Sequence, residues 1–295
     1  MKKKRPTILV TGSKGQVGTE LQTLASQFPD FDFIFVDIDE LDITDRAAVK
    51  VFFAENQVNY CINCAAYTAV DKAETETNLA WKVNTVGPEN LAIACANTKA
   101  LMLQLSTDYV YHTQVTKPYI ETDFTNPQGT YARTKLNGDE VVLRNHPGGA
   151  MVVRTSWVYS SFGNNFVKTM LRLGAEKKEL SVIYDQIGTP TYARDLALAL
   201  LQIVQKAENK SVDTKFFSGI YHYSNEGATS WYDFAVAIFD IKKMPVKVIP
   251  RETKDYPTAA KRPPYSLLNK AKIKNTFGIE IAQWQKSLRK CLELL

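Results

Sequence analysis

Tyr131 and Lys135 stand four residues apart in Tyr131-Ala132-Arg133-Thr134-Lys135, on a segment that continues through Leu136, Glu140, Val141, Val142 and Leu143. Four residues on a helix bring both side chains to one face. A phenol beside an ammonium is a tunable proton donor. The cation stabilises phenolate and draws the tyrosine pKa down from about 10, and such a tyrosine can protonate an oxygen that is becoming alkoxide. Thr107 lies in Ser106-Thr107-Asp108-Tyr109-Val110-Tyr111, just after the apolar run Leu101-Met102-Leu103-Gln104-Leu105. That run reads as a buried strand ending at Thr107, whose hydroxyl can give the same oxygen a second hydrogen bond. A Tyr-x-x-x-Lys pair is common on solvated helices, so its weight depends on what surrounds it.

A nucleotide signature stands at the other end of the same half. Thr7-Ile8-Leu9-Val10 is a short β-type run, followed by Thr11-Gly12-Ser13-Lys14-Gly15-Gln16-Val17-Gly18 and by apolar positions Val17, Leu21, Leu24 and Phe28 at helical spacing. Strand, glycine-rich turn and helix are what a dinucleotide site requires. Glycines let the backbone approach a pyrophosphate, and the helix N-terminus favours its charge. Phe33-Ile34-Phe35-Val36 is the second strand, closed by Asp37. An acid roughly 20 residues past the glycines can accept from the adenosine ribose hydroxyls. It would also repel a 2′-phosphate, which Lys14 could offset, so NADH and NADPH both stay open.

The elements that position these groups alternate. Thr44 reads as the cap of a helix through Val49, Phe52 and Phe53. Val58 to Cys64 is a strand leading into Ala65-Ala66-Tyr67-Thr68-Ala69-Val70-Asp71, whose small residues permit close approach to a ligand. A helix through Ala80, Val83, Leu91, Ile93 and Ala94 follows, with Asn84 either a satisfied polar group under the cofactor or an ordinary helix position. Met151-Val152-Val153-Arg154 is a further strand, with Thr155-Ser156-Trp157-Val158-Tyr159 at its end. Alternation of strand and helix predicts an α/β fold, a Rossmann-type doubly wound parallel sheet. Ligands of such sheets lie beyond the carboxyl ends of the strands, where Thr107, Ala65 and the glycine turn all fall.

The remainder predicts a smaller C-terminal α/β substrate lobe. Residues 1–155 would form the dinucleotide-binding domain and residues 156–295 mainly the substrate-binding lobe, with the two interleaved. Trp157 could pack on a sugar face or sit in the core. Asn165 could read a ligand oxygen or cap the helix that follows. Arg262, in Arg262-Pro263-Pro264-Tyr265, could clamp a phosphate or stay a surface arginine. Pro250 is expected to end the short run Val246-Lys247-Val248-Ile249.

Composition narrows the class. The chain has 295 residues, 45% apolar and 23% charged, with a net charge of +5. Much of that excess sits at Lys2, Lys3, Lys4 and Arg5, a tip expected to fray. No wider basic stripe is interleaved with aromatics, which argues against nucleic acid as a partner. No apolar run is long enough to span a membrane, and Gly12 interrupts the one after the lysines, so a cytoplasmic location is expected. Cys61-x-x-Cys64 lies in a strand-like run where residues three apart face opposite ways, and no second pair completes a zinc site. Reduced thiols are expected for these two and for Cys95 and Cys291, and no metal site.

Taken together, Gly12-x-x-Gly15-x-x-Gly18, Thr107 and Tyr131-x-x-x-Lys135 resemble the extended short-chain dehydrogenase/reductases. Longer runs narrow the likeness: Gly15-Gln16-Val17-Gly18, Ala65 to Glu74, Ser106 to Tyr111, Arg154 to Tyr159 and Arg262-Pro263 resemble the dTDP-4-dehydrorhamnose reductase family, from about Ile8 to the C-terminus. The resemblance implies reduction of the C4 ketone of dTDP-6-deoxy-L-lyxo-4-hexulose to dTDP-L-rhamnose by NADH or NADPH. It implies that Tyr131 protonates the oxyanion, that Lys135 tunes Tyr131 and binds the nicotinamide ribose, and that Thr107 with Asp108 holds the carbonyl oxygen. Trp157 would contact the sugar. Gly12, Ser13, Asp37, Asp42, Ile43, Ala65, Ala66 and Tyr67 would line the dinucleotide. Some relatives dimerise through Mg2+ held by acids. One such position falls here on Arg194, beside Asp195 and with Glu293 still available, which argues against a metal bridge and leaves monomer and homodimer open. Two other readings remain: a nucleotide-sugar epimerase or dehydratase of the same superfamily, although the acid pair of dehydratases is missing where Tyr109 follows Asp108, and a non-catalytic regulatory subunit of the methionine adenosyltransferase type.

Overall fold

The computed structural model describes residues 4–113 and 115–295. Its centre is a parallel sheet of six strands: β1 (Thr7–Thr11), β2 (Asp32–Val36), β3 (Val58–Asn63), β4 (Leu101–Thr107), β5 (Ala150–Thr155) and, joining late in the chain, β10 (Gly219–His222). The spatial order is β10-β5-β4-β3-β1-β2, and each neighbouring pair is parallel. The winding therefore reverses between β1 and β3, so the carboxyl ends of those strands diverge into a crevice. Among the described residues ten α-helices accompany the strands: α1 (Gln16–Leu24), α2 (Arg46–Asn56), α3 (Thr77–Trp81), α4 (Gly87–Thr98), α5 (Thr130–Asn145), α6 (Phe166–Glu176), α7 (Ala193–Glu208), α8 (Trp231–Lys242), α9 (Ala271–Phe277) and α10 (Trp284–Leu292).

Strand pleat sorts the core. Ile8 and Val10 face one side with Ile62, Leu103 and Val153, packed under Leu21 and Leu24 of α1 and Leu196, Leu200 and Ile203 of α7. Leu9, Cys61, Met102 and Val152 face the other, under Val49 and Phe53 of α2, Leu91 and Cys95 of α4 and Val142 of α5. Both faces are covered, which is why these strands read as continuous apolar runs. A third core joins α6, α8 and α10 through Val167, Met170, Phe234, Ile238 and Leu288. It also takes Leu180 and Val182 from β7 (Glu179–Ile183), which pairs in parallel with β12 (Lys247–Arg251). The two-residue pieces β6 (Val158–Tyr159), β8 (Ile187–Gly188), β9 (Thr191–Tyr192) and β11 (Thr229–Ser230) stitch this part together, β6 with β9 and β8 with β11. Past residue 155 the chain thus builds its own core and also lends β10 and α7 to the first one.

Four local expectations are corrected. Pro250 does not end its strand; it pairs with Val182 inside β12. β12 has only β7 as a neighbour, and an edge tolerates a residue without an N–H. Asp45, not Thr44, caps α2, accepting from the Ala47 and Ala48 amides at 2.8 and 3.0 Å. The single helix expected through Ala80 and Ala94 is interrupted by a π turn at Lys82–Val86. Lys2 and Lys3 lie outside the described residues, but Lys4 and Arg5 are not frayed: Lys4 bonds Gln57 at 2.5 Å and Arg5 pairs with Asp32.

Candidate active site

A cleft of about 780 Å³ opens along the carboxyl ends of the strands. Its floor explains the glycines. Gly12 has φ +64°, and a Cβ there would stand 2.5 Å from the Ala65 nitrogen across the winding reversal. A Cβ on Gly18 would stand 2.4 Å from the Gly12 carbonyl oxygen. A side chain at either place would drive into backbone and force apart the turn at the N-terminus of α1, where backbone N–H groups and the helix dipole favour a pyrophosphate. These residues fit a dinucleotide.

Three elements aim the reacting groups. Thr107 ends β4; its Oγ1 accepts from the Tyr109 amide and donates to Asp108 Oδ1, both at 3.2 Å. Tyr131 is the second residue of α5, and that helix is set by a residue from far away in sequence. Glu74 accepts from the Thr130 amide at 2.6 Å, satisfying a free donor of the first turn. Gly129, at φ +85°, leaves room for the Glu74 carboxylate. Asn84, buried in the π turn, locks the other side: it accepts from the Tyr67 amide at 2.9 Å and donates to the Tyr67 carbonyl at 3.1 Å and to Thr134 of α5 at 3.2 Å. π turns recur at functional sites, and here one ties the Ala65–Glu74 segment to the helix that carries Tyr131. Of the two readings of Asn84, the satisfied polar group holds.

The electrostatics differ from the sequence expectation. Burial pushes the Tyr131 phenol up to about 12, against a hydrogen bond with Thr107 that pulls it down, while Asp108 and Asp139 raise it further. Lys135 does not lower it. The Lys135 ammonium donates to the Leu105 carbonyl of β4 at 2.8 Å instead, and burial brings it down to about 8, partly opposed by Asp139. Asp108 is 1% exposed, and burial lifts its carboxyl to about 7; its second carboxylate oxygen has no partner among the described residues. Beneath Lys135, a buried Arg154 pairs with Asp139 at 3.0 Å and donates to the Tyr111 hydroxyl at 2.7 Å.

The cleft gathers most of the predicted residues. Gly12, Gly15, Gln16, Val17, Gly18, Asp37, Asp42, Ile43, Ala65, Ala66, Thr107, Asp108, Tyr131, Lys135 and Trp157 all line it. Four others lie outside the lining. Ser13 is buried and bonds through its backbone to Val36 and Gln22. Tyr67 turns its hydroxyl to Glu76 at 2.6 Å. Asn165 is the cap of α6, accepting from the Lys168 amide at 3.1 Å, and its amide holds Gln16 at 3.0 Å; Asn164 faces the cleft instead. Arg262 grips Asp71 through two bonds of 2.9 and 2.6 Å, a fork-to-fork pair that commits much of its guanidinium to that carboxylate.

Trp157 lies in the left-handed region at φ +48°. Its indole stacks on Trp231 with centroids 3.6 Å apart, and Gly188 gives it room: a Cβ there would approach the ring at 2.8 Å. The left-handed backbone at Trp157 is a strained conformation, held by the stacking of its indole on Trp231. Trp231 and Tyr109, which packs edge-on against Tyr131 at 5.6 Å, also line the cleft and were not singled out from sequence. For Trp231 the only available signal was its place directly after Ser230, the N-cap of α8.

Cys61, Cys64, Cys95 and Cys291 are free thiols. Arg194 pairs with the buried Glu20 at 3.4 Å, and no group of three or more His, Cys, Asp or Glu among the described residues is placed to hold a metal. No helix among those residues is long and apolar enough to cross a membrane.

Known proteins share this arrangement. The family described as the RmlD substrate binding domain matches residues 6–295. A dTDP-4-dehydrorhamnose reductase of Aggregatibacter actinomycetemcomitans is 40% identical, covering 96% of this chain and 97% of the relative. The crystal structure of such a reductase from Clostridium acetobutylicum superposes with a TM-score of 0.91 at 42% identity, over 98% of this chain and 99% of that one. Another from Bacillus anthracis, solved in complex with NADP, gives 0.91 at 36% identity over 99% and 100%. With its match running from residue 6 to residue 295, the chain belongs to the dTDP-4-dehydrorhamnose reductase family.

Proposed function

We propose that this protein reduces the C4 ketone of dTDP-6-deoxy-L-lyxo-4-hexulose to the alcohol of dTDP-L-rhamnose. The nicotinamide dinucleotide, NADH or NADPH, supplies the hydride when bound along Gly12 to Gly18. The observation that carries the reading is the convergence of Thr107, Tyr131 and Lys135 at one end of that crevice, beside the platform of Trp157. Thr107, turning its hydroxyl hydrogen from Asp108 to the substrate, and Tyr131 hydrogen-bond the ketone oxygen and polarise it. A phenol held near 12 keeps its proton at neutral pH, so Tyr131 is loaded to protonate the oxygen as it turns to alkoxide. Lys135, anchored on the Leu105 carbonyl, has two further N–H donors with which to bind the nicotinamide ribose. Trp157 packs on the sugar. Arg262 acts indirectly, holding the Ala65–Glu74 segment through Asp71.

Partner and setting follow from the same reading: a dTDP-sugar, with no nucleic acid or membrane, in the cytoplasm, as monomer or homodimer. The test is oxidation of added reduced dinucleotide with a panel of 4-keto nucleotide sugars. The reductase reading expects stoichiometric oxidation with the 4-keto-6-deoxyhexose substrate. An epimerase or dehydratase would turn over without consuming added dinucleotide, and a regulatory subunit would show neither.

A further inference from the structure

One small ladder supplies both neighbours of the Trp157 indole. β8 and β11 pair antiparallel with Gly188 opposite Thr229, and Trp231 follows directly after β11. Trp231 stacks on the indole at 3.6 Å with 10° between the planes, and a Cβ on Gly188 would meet it at 2.8 Å. The main chain of Trp157 is pinned separately. The Thr191 amide donates to its carbonyl at 3.1 Å, and the Ser156 hydroxyl donates to the Thr189 carbonyl at 2.7 Å. Those bonds fix where the backbone runs, but not the χ angles of the ring. Trp231 has anchors of its own: Phe166 at 4.7 Å and 50°, and Phe234 at 6.4 Å and 44°. Phe234 is fully buried in the core that α6, α8 and α10 share.

We propose that Trp231 is a positioning residue for the sugar: it acts through Trp157, holding that indole as part of a wall tied to the C-terminal core. The inference rests on reading the cleft as the site of a nucleotide sugar with Trp157 against the sugar. Both indoles line the cleft. A sugar meets an aromatic surface through short-range contacts that a tilted ring forfeits. A ring already held in place loses no rotamer freedom when the substrate arrives, so core packing is turned into affinity. The effect falls on the sugar and not on the dinucleotide, because the Gly12–Gly18 turn belongs to β1 and α1 and is no part of the stack.

The experiment is a double-mutant cycle on the binding of the product, dTDP-L-rhamnose, to the full-length protein saturated with oxidised dinucleotide, read by calorimetry. Trp231→Leu keeps apolar volume but removes the flat face, and Trp231→Phe keeps a smaller one. The Leu change is expected to weaken product binding by about three- to tenfold, the Phe change by less, with dinucleotide affinity unaltered in both. Once Trp157→Leu is in place, Trp231→Leu should have no further effect. The far-ultraviolet exciton couplet of two stacked indoles should be present in the unaltered protein and absent from each single Leu variant. If the Leu variant does not fold, the Phe variant runs the same cycle. Unaltered product binding in Trp231→Leu overturns the proposal. So do losses that multiply in the double variant, which would make Trp231 a separate contact. Failure of the unaltered protein to bind dTDP-L-rhamnose while it still binds dinucleotide overturns the substrate reading beneath, a separable result.

Discussion

The two ends of the cleft are built on opposite principles. At the reaction end, the polar groups are dry. Asp108, Tyr131 and Lys135 are each shifted by burial, and Asp108 keeps one carboxylate oxygen unpartnered. At the other end, on the turn after β2, the charges are wet and answer one another: Lys14, Asp39 and Glu40 are exposed and paired. Low dielectric makes each hydrogen bond strong and each unpaired group costly, so the dry end is suited to stabilising charge that appears only during reaction. High dielectric leaves the wet end only long-range, salt-sensitive preferences. Rate should therefore be written at the dry end.

Changes can break this division. The largest effect short of the chemistry is expected between the two ends, at the shared floor. Gly18→Ala places a methyl 2.4 Å from the Gly12 carbonyl oxygen and should weaken dinucleotide binding by about 10²-fold, roughly 3 kcal/mol, with the circular dichroism of the fold retained. Binding within twofold of wild type would mean that the cradle is not where the pyrophosphate rests.

A smaller effect sharpens the dry side. The Asp108 carboxyl would ordinarily ionise at about pH 4, but burial raises it to about 7. As pH climbs from about 4 to 7, the unfolded chain gives up this proton while the fold retains it, so the carboxyl subtracts stability across that window and the full penalty stands above it. Asp108→Asn removes the charge. Its melting temperature should exceed wild type by at least about 2 °C at pH 8, and the gain should vanish near pH 4. A gain independent of pH would assign the effect to packing.

How much of this was legible in the residues depends on the range of the interaction. The strands and the carboxyl-end placement of Thr107, Ala65 and the glycine turn were legible, because apolar runs and glycine spacing are local. The Tyr131–Lys135 face was legible for the same reason. The Tyr131 pKa was not, since spacing on a helix says nothing of burial or of the Leu105 carbonyl that takes the ammonium. Arg262 and Asp71 lie far apart in sequence, and nothing near either one announced the pair. Glu74 was quoted within a motif, yet its role as the brace of α5 needed the fold. Asn165 offered two readings, and only its contacts with Lys168 and Gln16 separated them.

The central claim is that a buried, fully protonated Tyr131 delivers the proton. The most direct measurement is kcat for ketone reduction by Tyr131→Phe, after its dinucleotide affinity has been shown to match wild type. The account predicts a fall of roughly 10² or more with binding intact; wild-type turnover by a folded, dinucleotide-binding Phe variant would contradict it.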